Sequence, residues 1–178
     1  MNIKLIAPKV IQIEGDSASA VVEFEGGKAK DVDGGLYVSV NSEVVGAISG
    51  PGEYEQGGVE LAMLETKEIV AGQAELAQVR IDNINVLNVL QAPGDLQKEQ
   101  WELIDNVHIL CMDAGIKIDE PAKFVNKINP YVLIVLNSDK ETAEKWLGMT
   151  IESQDKKYKF SDKDFTAEEP VLRVLLLA

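Results

Sequence analysis

Apolar and polar positions alternate along the first half of the chain and shift to helical spacing in the second. Ala18, Ala20, Val22 and Phe24 fall on one side of a period-two pattern, with Ser19, Glu23 and Glu25 among those on the other, which predicts a strand. Glu25-Gly26-Gly27-Lys28 follows as a hairpin turn. Residues 36–40, 44–48, 59–64, 68–71, 75–81 and 84–90 are further short runs of strand character, with Gly72-Gln73 and Asp82-Asn83 supplying turns. The pattern predicts no helix before residue 96.

Beyond that point strands and helices alternate. Leu96, Trp101, Leu103 and Ile104 lie at roughly helical spacing, so residues 97–104 read as a helix with Asp95 as its N-cap. Residues 108–112 read as a strand. Residues 119–128 read as a helix capped by Asp119, with Pro121 in its first turn and Phe124, Val125 and Ile128 on its apolar face. Pro130 disfavours helix at Asn129 and ends it. Residues 131–136 are continuously apolar, as a strand buried on both faces would be. Ser138 and Glu141 are spaced for a capping box that opens a helix ending near Trp146 and Leu147. Residues 156–160 and 171–177 close the chain as strands, the last read as a core strand in preference to an interface strand. One α+β domain over residues 1–178, with two stacked sheets and helices outside, would bury both kinds of strand.

Charge narrows the functional classes. The net charge is −13, from 30 acids against 17 bases, and Arg80 and Arg173 are the only arginines. Nucleic-acid binding needs a basic footprint, so none is expected. Between Asp31 and Thr66 there are seven acids and no base, which reads as a solvated acidic face. No apolar run approaches the roughly 18 residues a membrane span requires, and the opening MNIKLIAPKV lacks a small-residue cleavage site. No membrane partner is expected. A single cysteine, Cys111, forms no internal disulfide and suits a reducing cytoplasm. A single histidine, His108, restricts the available chemistry further.

The punctuation carries more specific information. "GPGEYEQGGVEL" begins at Gly50, "VLNVLQAPGDLQKEQWELIDNVHILCMDAG" follows, and "EPAKFVNKINPYVLIVLNSD" comes after it. In this order the segments resemble the metallo-β-lactamase superfamily, in particular its small bacterial branch described as metal-dependent hydrolases. The resemblance implies a truncated αββα sandwich with a β-rich N-terminal half. It also implies that Gly50-Pro51-Gly52 is a turn between strands, so that Glu53 and Glu55 are strand residues. The alternating oxygen ligands of an EF-hand-like loop are absent there.

The resemblance implies a metal site that this sequence does not spell out. The superfamily signature is His-x-His-x-Asp-His after a short strand, then a later His, a bridging Asp and a final His. Here Asn41 and Glu43 stand at the first two histidine positions, Asp95 at the bridging aspartate and Asn137 at the terminal histidine. His108 is at no ligand position and reads as structural. Cys111 reads as a small core residue. Asp113 ends a strand before Ala114-Gly115, a common location for functional groups in α/β architecture.

The expectation is therefore a degenerate protein of this fold without a zinc site, a cofactor or catalytic residues, acting in binding or assembly. Two alternatives remain open. One is a residual metal-dependent hydrolase with an oxygen-rich site around Asp95, suited to Mg²⁺, Ca²⁺ or Mn²⁺. The other is a small-ligand binder whose vacated cleft is lined by Asn41, Glu43, Asp95 and Asn137. The partner is a protein, a small ligand or further copies of the same chain.

Overall fold

Strand alternation divides the buried side chains of the large sheet between two core layers. The computed structural model describes residues 1–28, 35–41, 43–66, 74–104, 106–166 and 170–178. The predicted strand over 68–71 and the turn at Gly72-Gln73 lie outside the described residues. In chain order the elements are β1 (Asn2–Ala7), β2 (Val10–Glu14), β3 (Ser19–Glu23), β4 (Leu36–Ser39), β5 (Gly52–Gln56), β6 (Val59–Leu64), β7 (Leu76–Ile81), β8 (Ile84–Val89), α1 (Lys98–Leu103), β9 (Ile109–Asp113), α2 (Pro121–Ile128), β10 (Val132–Leu136), α3 (Lys140–Leu147), β11 (Ser153–Asp155), β12 (Lys157–Lys159) and β13 (Arg173–Leu177). One sheet has the order β12-β1-β2-β3-β4, the other β11-β13-β10-β9-β8-β7-β6-β5.

Period two explains how the layers assemble. In β9, Ile109 and Cys111 face the layer between the sheets, while Leu110 and Met112 face the other way. In β10, Val132, Ile134 and Leu136 take the inter-sheet face, and Leu133 and Val135 the opposite one. The inter-sheet layer also takes Ile3, Ile11, Val22 and Phe24 from the small sheet. The outer layer of the large sheet is completed by Val125 of α2 and by Ala143 and Leu147 of α3. Among the described residues the helical layer covers the large sheet. β13 lies between β10 and β11, with Leu175, Leu176 and Leu177 buried, so it is a core strand.

Several expectations need correction. The segment after β3 is not a hairpin turn: β4 runs parallel to β3, which requires a crossover. Residues 44–48 form no strand, only an isolated bridge from Ile48 to Val38. Asp95 does not cap α1. Gln97 takes that place, its backbone N–H donating to Gln100 Oε1 at 2.6 Å. Glu120, not Asp119, precedes α2, with Pro121 at its first position. Asp139, not Ser138, caps α3, accepting from Thr142 N–H at 2.9 Å. In each case the cap sits next to the helix start, and the apolar periodicity fixed that start only to within one or two residues.

The Gly50-Pro51-Gly52 turn leads directly into β5, which places Glu53 and Glu55 in a strand as expected. Asp82 and Asn83, both with positive φ, form the tight turn between β7 and β8.

Candidate functional site

Strand direction creates one edge where chemical groups converge. β8, β9 and β10 run parallel, and their register pairs Val89 with Met112 and Leu136 with Asp113. Their C-terminal ends therefore share a border, the usual place for functional groups in such sheets. The small sheet meets the same border. Glu25 N–H, just after β3, donates to Leu90 O at 2.9 Å, and Phe24 N–H donates to Lys9 O at 2.9 Å.

Asp113 is the last residue of β9 and is wholly buried. It continues the Ile109–Cys111 face, which directs it toward the small sheet. Its Oδ1 accepts from Gly115 N–H at 2.7 Å and from Asn137 Nδ2 at 3.1 Å. Its Oδ2 lies 2.7 Å from Lys9 Nζ. The angles there make this a close ion pair and not an aligned hydrogen bond. The same ammonium donates to Glu25 O at 3.2 Å. Lys9 sits in the turn between β1 and β2 with φ +59°. Nearby, buried Glu23 accepts a hydrogen bond from the Tyr37 hydroxyl. Burial, then the hydrogen bond to Glu23 and its charge, push the Tyr37 phenol well above its ordinary value.

The four residues singled out from the sequence are placed differently from one another. Asn137 joins Asp113. Asn41 and Glu43 are exposed and form their own turn, Glu43 N–H donating to Asn41 Oδ1 at 3.0 Å. Asp95 is exposed ahead of α1. Among the described residues no hydrogen bond or ion pair links Asn41 or Glu43 to Asp95 or Asn137. Nor do three or more His, Cys, Asp or Glu residues come together there as a metal site would need. A small cavity of about 390 Å³ opens at this edge, lined by Leu5, Pro8, Lys9, Asn137, Ser138 and Leu177 among others. Of the four, only Asn137 contributes to it.

Cys111 is a core residue, as expected, and His108 is held by local contacts. His108 Nδ1 accepts from Asn85 N–H at 3.0 Å, so the proton of the neutral ring is on Nε2. The ring stacks on Tyr131 at 6.0 Å and meets Phe165 edge-on at 5.1 Å. Burial first, and then the Arg80 charge, lower its pKa. Cys111 is fully buried, and burial pushes its thiol far up, away from reactive thiolate character. A larger cleft of about 630 Å³ lies at the opposite edge, lined by Arg80, Asn83, Asn106, His108 and Asn129 among others.

The alternation reading assigns no strand to residues 1–14, so it gives Lys9 no role. The signal was present: a proline-led pair, Pro8-Lys9, between two apolar runs reads as a two-residue turn.

No protein-family model matches the sequence, and no curated protein matches it. Solved structures do. A protein from Thermotoga maritima, assigned to the zinc-dependent hydrolases of the metallo-β-lactamase superfamily, superposes with a TM-score of 0.71 at 16% identity, over 98% of both chains. The fold is that of the metallo-β-lactamases. The metallo-β-lactamase fold protein YhfI from Bacillus subtilis gives a TM-score of 0.56 at 9% identity, over 98% of this chain and 95% of its own. CmlA, a diiron β-hydroxylase from Streptomyces venezuelae, gives 0.51 at 10% identity over 79% of this chain and 45% of its own.

Proposed function

We propose that this protein uses the metallo-β-lactamase fold without a zinc site, as a binding or assembly protein in a reducing cytoplasm. One observation carries the reading. At the edge where the parallel strands end, the buried carboxylate Asp113 is engaged by Lys9, Gly115 and Asn137, and among the described residues no hydrogen bond or ion pair joins Asn41, Glu43 or Asp95 to it. Hydroxide generation by a bound metal requires several convergent ligands with a coordination position left open. The donor set here is a carboxylate already neutralised by an ammonium, together with amides. It does not fit zinc. The acidity of the chain, −13 overall, supports a partner other than nucleic acid.

The test is elemental mass spectrometry on untagged protein purified without chelators, alongside Asp95→Ala. Absence of stoichiometric Zn, Mn, Fe, Mg or Ca from the wild type is the expected result. Near-stoichiometric metal that disappears in Asp95→Ala would establish the alternative, a residual metal-dependent hydrolase, and overturn this reading.

A further inference from the structure

Lys9 occupies a costly backbone conformation. Pro8 and Lys9 form the two-residue turn between Ala7 and Val10, which pair across β1 and β2. Proline at the first corner and φ +59° at the second fit a type II turn, whose second corner favours glycine. A lysine there bears strain that a glycine would not. Such an outlier calls for a compensating contact, and the Lys9 side chain makes one.

Its ammonium reaches across the sandwich from the small sheet to the large one. It lies 2.7 Å from Asp113 Oδ2 and donates to Glu25 O at 3.2 Å. Asp113 is 1% exposed and Lys9 26% exposed as side chains. The surrounding wall is close. A Cβ on Gly115 would sit 3.7 Å from Lys9 Nζ and 3.2 Å from Asp113 Oδ1, and one on Gly26 would sit 3.9 Å from the ammonium. A buried carboxylate needs a cation or it destabilises the fold, and this chain supplies that cation covalently.

We infer that the Lys9 ammonium is the resident cation of this edge, clamping Asp113 and the Glu25 carbonyl together and closing the edge to a divalent ion. Both Asp113 oxygens are engaged, and a metal on either would sit within a few ångströms of a fixed positive charge. Asn137, at the position resembling a terminal ligand, gives its amide N–H to the same carboxylate and so presents a donor to it. The inference deepens the metal-free reading and rests on it, yet it fails separately.

The experiment is a thermal and urea unfolding cycle on the full chain with Lys9→Gly, Asp113→Asn and the double variant. If Lys9 serves only as a turn residue, Lys9→Gly relieves strain and the melting temperature holds or rises. The inference expects a fall of about 5 °C or more, in line with loss of a partner to a buried charge. It also expects the double variant to recover much of that loss, because it removes the stranded carboxylate. A Lys9→Gly protein as stable as wild type, or additive effects in the cycle, overturns the inference and leaves the metal-free reading standing. Zn²⁺ or Mn²⁺ alone, added to wild type, is expected not to raise its melting temperature. A rise that Asp113→Asn abolishes overturns the inference and the metal-free reading together.

Discussion

Asn137 Nδ2 donates to Asp113 Oδ1 over 3.1 Å, joining the residue just after β10 to the last residue of β9. The bond crosses between two parallel strands at the same height, because Leu136 is in register with Asp113. Asn137 has φ +56°, a region asparagine enters far more readily than other side chains. Asn137→Ala loses both the hydrogen bond and the backbone fit and is expected to cost about 1–3 kcal/mol. Asn137→Gly keeps the backbone fit and is expected to cost less. Urea midpoints with unchanged m-values check the order.

Tyr37→Phe tests Glu23, another buried carboxylate near this edge. Glu23 is 5% exposed and accepts from the Tyr37 hydroxyl. Removing that donor leaves a buried acceptor short of a partner, with an expected loss of about 1–3 kcal/mol. Adding Glu23→Gln to Tyr37→Phe is expected to restore part of it, because a neutral amide is cheaper to bury than a carboxylate. Chemical denaturation of the wild type, the single variant and the double variant measures both effects.

The sandwich was legible because its strands stand out as short apolar runs, alternating or continuous, bounded by turn residues. Residues 59–64, 75–81, 84–90 and 131–136 match β6, β7, β8 and β10 closely. Pro130 and the left-handed Asn129 end α2 where the sequence says they should. The hairpin assigned to Gly26-Gly27 failed because a glycine pair signals a turn without fixing the direction of the next strand. The site was less legible. Alignment by resemblance marks equivalent positions, but ligation depends on side chains converging in space. Asn137 converges with Asp113, whereas Asn41 and Glu43 form a local turn. Lys9 and Asp113 are 104 positions apart, and nothing short of the stacked sheets brings them together.

His108 predicts a pH dependence. Its folded-state pKa lies below the ordinary imidazole value near 6.5, through burial and the Arg80 charge. The unfolded chain therefore takes up a proton before the folded one does. The contribution is fully present above about pH 6.5 and is lost as pH falls through the folded-state value. The melting temperature is expected to fall as pH drops below about 6.5. His108→Asn, which offers Asn85 N–H an acceptor without titrating, is expected to flatten that slope. Calorimetry across the window decides it.

Leu175→Ala probes the last strand. Leu175 is 1% exposed in the layer between the sheets, and β13 is flanked on both sides. The expected loss is about 2–5 kcal/mol, the range for a buried leucine. The sedimentation coefficient of the folded fraction is expected to stay unchanged, because the strand is internal and not a contact between copies.

Among the described residues β5 ends the eight-stranded sheet and bonds only to β6 among its strands. It presents Glu53 and Glu55 to solvent, and Glu55 stands opposite Glu60 on β6. A second copy approaching to extend the sheet would bring carboxylates against carboxylates. The excess of acid is thus not spread evenly over the molecule; part of it stands guard on a border open to polymerisation. Dissolved salt, which shortens the reach of those charges, then becomes the variable that governs how long the molecules remain apart.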